Sequence, residues 1–340
     1  MSEAIGYDIR PFAEGDQHGI LAGFNQVFRK VCGEGYVDRK MEFWDWEFAR
    51  NPEGARIMVG VTRDGLIAGH YGGVPVRVHS SHGPATFVHI VDSFVLEAHR
   101  AGLKRPGLFV NIGEVWQQMC RDAGDATMYG YPVIAAQRVG SRFLGYAPIH
   151  VVDYLVQGTR SDLSGGRSAV EVEAVEDLPA EIDGLFEEFA AGLGCALVRD
   201  ARYLRWRYLE IPGGTTDYVL LAARRSGRLC GFVVLRPVHE LIPGACTVVD
   251  WIVPGCPDDV VDALLKRVHA ISTERGRGRV MAVFKDGSRE HEALKVRGFA
   301  VEPSAVVLER RLNHIPADPR FSTEWLAQNW WYTLGDTDLA

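Results

Sequence analysis

With 340 residues, the chain is too long for one ordinary compact domain and suits two domains of roughly 100–200 residues each. A hydrophobic fraction of 47% and a charged fraction of 24% are typical of globular proteins and exclude a disordered or fibrous chain. The net charge of −7 argues against nucleic acid or an anionic membrane as a partner, and no apolar run approaches the ~18 residues that a membrane span needs.

The predicted elements begin with a short strand at 7–10 and an amphipathic helix that carries Ile20, Phe24 and Phe28 at helical spacing. A second, Trp-rich helix follows, and Pro52 ends it because proline cannot continue a helix. The first part of the chain is therefore predicted to be mostly helical.

Strands dominate the next part of the chain. Asp64-Gly65 is a hairpin signal between two strands, and an apolar third strand is predicted at 87–96. A long helix at 108–123 follows, and then a strand, a helix and a last strand. This order predicts a mixed α/β (α+β) sheet with one central parallel crossover.

The C-terminal half repeats this pattern, which indicates a tandem duplication. Matching segments, in the same order, are WEFARNPEG and WRYLEIPGG (46–54 and 206–214), DGLIAG and SGRLCG (64–69 and 226–231), VDSFV and VDWIV (91–95 and 249–253), and FLGY and VRGF (143–146 and 296–299). A Gly/Ser-rich stretch at 158–168 is the predicted linker. We therefore expect domains at 1–157 and 169–314, and a C-terminal tail at 315–340 that packs on them.

The turn between the 87–96 strand and the following helix is rich in basic residues. Arg100, Lys104 and Arg105 precede Gly107, and the helix opens at Leu108. A helix N-terminus presents unpaired N–H groups and a partial positive charge, and glycine lets the backbone approach an anion closely. The turn therefore predicts a pyrophosphate site, with an ordinary solvated loop as the alternative.

The C-terminal half differs at the equivalent point. Asp258 and Asp259 occupy the helix start there, and no cluster of Arg or Lys accompanies them. Carboxylates at that position cap the helix themselves and would repel a pyrophosphate. We therefore expect the C-terminal domain to be a degenerate copy without a cofactor site.

A carboxylate, Asp92, lies in the middle of the apolar strand. An unpaired charge in such a strand is costly, so the residue needs a chemical or structural reason. Strand alternation predicts that Ile90, Asp92 and Phe94 share one face. Asp92 is a candidate general base, and a structural Asp is the alternative, which Asp250 at the repeat position favours.

Three N-terminal segments together resemble the GNAT acyltransferase superfamily: the strand VHIVDSFVL, the turn HRAGLKRPGLF and the segment YGYPVIAAQRVGSRFLGY. The last segment and the terminal NWWYTLGDTDLA are similar to GNAT proteins associated with polysaccharide or amino-sugar modification. The resemblance extends from about residue 6 to the end of the chain. It implies two tandem GNAT-like domains, of which the N-terminal one holds the acyl-CoA.

The resemblance also implies residue roles. Asp92 matches the position where many GNAT enzymes carry an acidic base. Acceptor contacts are implied on the second helix, at Trp44, Asp45 and Glu47. Cofactor contacts are implied at the end of the strand, in the turn and at the helix start, namely at Phe94, Val95, Leu96, Arg100, Lys104, Arg105, Gly107, Leu108 and Phe109.

The family's usual catalytic acid, a tyrosine, matches Ser141 here, so the usual acid is missing. Tyr131 is the expected substitute, with Tyr129 and Tyr146 as alternatives, although each is more often a core or rim aromatic. The reaction does not strictly need a strong acid, because a CoA thiolate is already a good leaving group.

These features predict a transfer of an acyl group, with acetyl from acetyl-CoA as the leading expectation, to a small amine in a ternary complex. An amino sugar is the leading acceptor. An amino-acid or amino-thiol acyltransferase similar to mycothiol synthase is the enzymatic alternative, and a non-catalytic binding protein with this fold is the other. The acidic chain disfavours kinship with the tandem-fold transferases that use aminoacyl-tRNA.

Metal chemistry and secretion are not expected. The six cysteines include no Cys-x-x-Cys pair, and His70, His79, His89 and His99 are spaced by nine or ten residues, which matches no zinc motif. The N-terminus lacks the basic-then-apolar pattern of a secretion signal. We therefore expect a cytoplasmic enzyme without a metal cofactor.

Overall fold

The computed structural model describes residues 6–100, 106–160, 169–213, 217–239, 243–304 and 311–338. The chain forms two compact units. The first unit comprises Met1–Arg77, Ala85–Ile149 and Leu312–Glu324, and the second comprises Val78–Pro84, His150–Arg311 and Trp325–Ala340. Among the described residues, no helix is long and apolar enough to cross a membrane.

In both halves the strands and helices follow one another in the order that the repeat predicts, with β9 as an additional short strand. The strands are β1 (Tyr7–Pro11), β2 (Arg56–Thr62), β3 (Ile67–Ser80), β4 (Ala85–Val95), β5 (Thr127–Gly130), β6 (Ala147–Val151), β7 (Tyr154–Gly158), β8 (Val170–Val175), β9 (Cys195–Leu197), β10 (Val219–Arg225), β11 (Arg228–His239), β12 (Ala245–Ile252), β13 (Arg279–Ala282), β14 (Ala300–Glu302) and β15 (Arg311–Pro316). The helices are α1 (Asp16–Cys32), α2 (Met41–Trp44), α3 (Leu108–Asp122), α4 (Ile134–Phe143), α5 (Ile182–Ala190), α6 (Ala201–Leu204), α7 (Asp258–Glu274), α8 (Arg289–Lys295) and α9 (Thr323–Asn329).

The first unit is built on a sheet that runs in the order β1-β2-β3-β4-β5-β15-β6. The strands β1 to β4 follow one another in the sequence and lie side by side in the sheet. β4 and β5 are parallel, and α3 forms the crossover that connects them. The apolar face of α3 packs on the sheet through Ile112 and Trp116, both almost completely buried. This packing fixes where α3 begins relative to the end of β4.

The second unit repeats the plan with the order β14-β7-β13-β12-β11-β10-β8. Here β12 and β13 are the parallel pair, and α7 is the crossover helix. Both units also share a π-helical turn at the repeated tryptophan, over Asp45–Ala49 after α2 and over Arg205–Leu209 after α6. The mixed α/β architecture confirms the predicted fold class.

Within the two strand orders given above, each sheet contains one strand from the other half of the chain, and β9 pairs in addition with the end of β3. β7 precedes the Gly/Ser-rich stretch, yet it lies between β13 and β14 in the second unit. β15 follows β14, yet it pairs with β5 in the first unit, where Asn313 is opposite Gly130. The contact-defined units therefore differ from the predicted boundaries at 157 and 314, and the 315–340 tail is divided between them.

Candidate functional site

The parallel pair of the first unit separates at its end. The register of β4 and β5 runs from Phe87 opposite Thr127 to His89 opposite Tyr129, after which β5 soon ends while β4 continues to Val95. Beside the part of β4 that extends beyond its pairing with β5 lies a cavity of about 370 Å³. Its walls come from α1, the end of β4, the turn before α3, the first turn of α3, and α4.

Most of the predicted cofactor residues line this cavity. Those that do are Phe94, Val95, Arg100, Gly107, Leu108 and Phe109. Leu96 does not, and its backbone N–H donates instead to the carbonyl of Ala68 at 2.9 Å, which ties the end of β4 to β3. Lys104 and Arg105 lie outside the described residues.

The sequence did not identify the apolar wall of the cavity. Val27, Phe28 and Val31 contribute it from α1, and Ala135, Ala136, Val139 and Phe143 contribute it from α4. The helical spacing of these residues gave a signal, but it is the same spacing that marks an ordinary core face. Their position around a cavity is therefore information that only the fold supplies.

The first turn of α3 is open toward an anion. Its N-cap, Gly107, makes no side-chain capping bond, and the first turn carries no acidic residue. Val110 and Asn111 both donate to the Gly107 carbonyl, and the N–H groups that precede them have no partner in the helical pattern. A helix start of this kind favours a phosphate through its N–H groups and its dipole.

The equivalent turn of the second unit, at the start of α7, carries acidic side chains. Asp258 and Asp259 stand in the first turn of α7. Asp258 accepts a hydrogen bond from Arg297 at 2.8 Å, and Asp259 accepts one from Arg225 at 2.6 Å. Each acid therefore pairs with an arginine instead of capping the helix as predicted, and the N-cap, Pro257, makes no side-chain bond. The two carboxylates still place negative charge at this helix start.

A second feature of the first unit is an ion cluster around Arg39. The Arg39 guanidinium donates to Glu47 at 3.0 Å and also to Asp92, and it lies over the rings of Phe24 and Phe43 at 4.2 and 4.4 Å. The side chains of Glu47 and Asp92 are each 9% exposed, and that of Arg39 is 23% exposed. Two carboxylates and one guanidinium thus form a partly solvated group with a net negative charge.

The cluster brings together two of the predicted site residues and separates the others. Glu47 and Asp92 meet through Arg39, which the sequence analysis missed. Trp44 instead packs between Phe12 and Phe48 in the core. The half-buried Asp45 contributes a backbone carbonyl that accepts the N–H of residue 50 at 2.7 Å.

The second unit contains the same Arg–Asp pair in a closed form. Arg199 donates to Asp250 at 2.8 Å, to Thr333 at 3.2 Å and also to Asp336, and neither the guanidinium nor the two carboxylates are exposed. Tyr208 donates to the other oxygen of Asp250 at 2.9 Å. The C-terminal segment thus fills the position beside Asp250, and burial raises the pKa of Asp336 to about 6.

The candidate acids lie elsewhere in the first unit. Tyr129 stacks on His89 with ring centroids 4.8 Å apart, and Tyr131 meets the same imidazole edge-on at 6.4 Å. Tyr146 shares a hydrogen bond with Tyr71, and burial raises the pKa of Tyr146 to about 12. Among the described residues that line the cavity, none of these tyrosines occurs.

The alternation predicted for β4 is wrong at Asp92. This residue has a φ of 54°, which lies in the left-handed region and costs an L-residue about 1–2 kcal/mol. Ile90 consequently packs on the α3 side with Val95, whereas Phe94 faces Gly23 of α1. The strand therefore changes the facing of its side chains at Asp92, just before the cavity.

No protein-family model matches the chain, and neither does any curated protein. Solved structures do match. A conserved protein of unknown function from Enterococcus faecalis, described as a probable N-acyltransferase, is 13% identical with a TM-score of 0.68 over 92% of this chain and 72% of that one. GCN5-related N-acetyltransferases from Anabaena variabilis (13% identity, TM-score 0.65, 92% and 73% covered) and Kribbella flavida (16%, 0.60, 92% and 72%) are also similar.

These similarities define the class of fold. Each covers nearly the whole chain, at identities that establish the fold and not the substrate. The chain has the GNAT fold, and at the level of the fold the structural similarity confirms the resemblance inferred from the strand, turn and helix around Asp92 and Gly107. Among the described residues, no group of three or more His, Cys, Asp or Glu side chains could hold a metal ion.

Proposed function

We propose that the protein is an acyl-CoA-dependent N-acyltransferase whose donor site is the cavity of the first unit. The observation that carries this proposal is the combination of a 370 Å³ cavity, the part of β4 that extends beyond its pairing with β5, and the uncapped first turn of α3. The apolar walls from α1 and α4 suit an extended, largely uncharged arm, and the helix start suits the pyrophosphate. Acetyl-CoA is the first donor to test.

We further propose that the acceptor amine binds on the side of Asp92 and Glu47. The cavity begins at Ser93, directly after Asp92, so a thioester in the cavity would lie close to the ion cluster. An ammonium acceptor complements the negative charge of the two carboxylates, and one of them can take the proton that the amine must lose. An amino sugar is the leading acceptor, and an amino acid or amino thiol is the alternative.

The donor site is tested by calorimetric titration with acetyl-CoA. Wild-type protein should bind close to one equivalent per chain. Gly107→Asp should weaken binding at least tenfold, because it places a carboxylate against the pyrophosphate and satisfies the same N–H groups. Gly107→Asn is the matched control, since it adds a capping side chain of the same shape without the charge and should lose less affinity.

The alternatives predict different titrations. Two equivalents per chain would contradict the expectation that Asp258 and Asp259 repel a pyrophosphate at the start of α7. Failure of the wild-type protein to bind acetyl-CoA or longer acyl-CoAs would favour the non-catalytic binding protein. If binding is found, the release of free CoA thiol with a panel of amines identifies the acceptor class.

A further inference from the structure

The left-handed residue in β4 needs a partner to hold it. Among the described non-glycine residues, positive φ occurs at Asp92, Ser226 and Cys256. Ser226 stands in the hairpin turn between β10 and β11, and Cys256 in the turn before α7, where such a conformation is common. Asp92 alone of these three lies inside a strand, so its conformation is imposed by its surroundings.

His70 of β3 provides the contact. Its Nδ1 lies 2.8 Å from the carbonyl oxygen of Asp92. Because a carbonyl can only accept, Nδ1 must carry a hydrogen, and in the neutral ring Nε2 then carries none. The ring is wholly buried and Nε2 has no partner among the described residues. Burial lowers the pKa of His70, which favours the neutral ring.

The residues around the His70 imidazole leave space for the ring and enclose it. A Cβ at Gly72 would lie 2.7 Å from Cε1 of His70 and 3.0 Å from the carbonyl oxygen of Val91. Phe48 and Phe94 enclose the ring, with centroids 6.0 and 5.7 Å away. Glycine at 72 therefore gives the imidazole the space to reach the β4 backbone.

The second unit supplies an internal comparison. The repeat aligns Gly69 with Gly231, so Phe232 and Val234 stand where the first unit has His70 and Gly72. Phenylalanine cannot donate a hydrogen bond, and Asp250, the counterpart of Asp92, has no positive φ. The histidine, the glycine and the left-handed aspartate therefore occur together in the first unit, next to the cavity described above.

Packing alone does not explain the histidine. A buried nitrogen without a partner is unfavourable, and phenylalanine at this position would avoid it, as Phe232 does. What His70 adds is the single hydrogen bond to Asp92. That bond holds β4 at the point where its side chains change face, immediately before Ser93, Phe94 and Val95 line the cavity.

We propose that His70 is a positioning residue whose Nδ1–H fixes the left-handed turn at Asp92 and thereby the cavity wall formed by residues 93–95. Without this bond Asp92 can relax to an extended conformation. A strand that loses such an irregularity turns its following side chains to the opposite face. The wall would then be lost although His70 itself does not line the cavity. The consequence for ligand binding rests on the proposed donor site.

The test compares His70→Phe, which installs the residue of the second unit, with His70→Asn, whose side-chain amide can still donate from near the Nδ1 position. We expect His70→Phe to weaken acetyl-CoA binding at least tenfold while its unfolding midpoint in denaturant stays close to that of wild type. His70→Asn should recover most of the affinity. Wild-type affinity in His70→Phe would overturn the proposal.

A measurement on the wild-type protein tests the same bond independently of binding and of variant stability. Nitrogen-15 NMR of the imidazole at about pH 7.5 should show the Nδ1–H tautomer. An Nε2–H tautomer would also overturn the proposal. If wild-type protein does not bind acyl-CoA, the donor site fails, and the tautomer with the backbone chemical shifts of residues 92–95 in His70→Phe still decides the role of His70.

Discussion

The side chain of Asp92 is held by Arg39 in an arrangement that the second unit repeats with Asp250 and Arg199. We expect Asp92→Asn to lower turnover at least tenfold and to leave the dissociation constant for acetyl-CoA within about twofold. Removing one charge from a partly buried pair should also lower the free energy of unfolding by about 1–3 kcal/mol. Steady-state kinetics, calorimetry and denaturation in urea measure the three quantities.

A matched variant separates chemistry from stability. Asp250→Asn removes the corresponding charge from the fully buried pair of the second unit. It should lower the free energy of unfolding at least as much, with little change in turnover measured well below the transition. If Asp92→Asn kept full turnover at every pH, Asp92 would be a structural residue like Asp250, and Glu47 would become the candidate base.

At the residue scale, the sequence identified the charged side chains of the site but not the side chains that pair with them. Asp92 was conspicuous because it interrupts an apolar run, and its repeat counterpart raised a structural role as an alternative. Arg39 was missed although it precedes Arg199 by the same 160 residues that separate Trp46 from Trp206. The left-handed φ of Asp92 could not be predicted, because alternation assumes a regular strand and the bond from His70 is a contact between distant residues.

At the scale of the structural elements, the C-terminal segment that carries Asp336 makes a pH-dependent contribution to the stability of the second unit. Asp336 and Asp250 share the guanidinium of Arg199, whose own pKa is raised by both carboxylates. Burial and the charge of Asp250 nevertheless raise the pKa of Asp336 from 3.8 to about 6, because one guanidinium does not offset burial of a second carboxylate. The folded state therefore holds this proton more tightly than the unfolded state does.

The sign of the effect follows from this difference. The stabilising contribution of the proton is complete below pH 4 and is lost as the pH rises through about 6, on the order of 2–3 kcal/mol. Asp336→Asn should lack this loss. The difference in unfolding free energy between the variant and wild type should therefore shift in favour of the variant between pH 4 and pH 7, whereas a constant difference would contradict the buried proton.

The helices and strands themselves follow closely from local signals. The helix expected at 108–123 spans Leu108–Asp122, and the apolar strand expected at 87–96 spans Ala85–Val95. Apolar periodicity and Gly or Pro boundaries are local properties, so they place such elements well. The open start of α3 also followed from sequence, since Gly107 and the absence of acids are visible there. The cavity walls could not be predicted in this way, because they depend on which elements pack together.

At the scale of the whole molecule, the exchange of β7 and β15 is what the sequence could not predict. A short strand can pair with any open strand edge of suitable length, and its own residues do not say which edge it joins. The duplication made the simplest expectation two contiguous domains. Instead β15 lies between β5 and β6, and β7 lies between β13 and β14, so each sheet depends on both halves of the chain.

This dependence predicts that neither half folds alone. Residues 1–160 lack β15, which leaves β5 and β6 without the strand that joins them, and residues 169–340 lack β7 between β13 and β14. Unpaired edges of this kind promote aggregation. We expect each half expressed separately to aggregate, and the two halves expressed together to form a one-to-one complex by size-exclusion chromatography with light scattering.

A cleavable chain provides the control. A protease site in the Gly/Ser-rich stretch at 158–168, cut after folding, should leave the two fragments associated with unchanged affinity for acetyl-CoA. In the control the two halves fold as one chain before they are cut, whereas in separate expression each half must fold before it can meet the other. If residues 1–160 alone were monomeric and bound acetyl-CoA like the whole chain, β15 would be dispensable to the first sheet. Recovery of binding only on co-expression would mean that the duplicated halves form a single folding unit.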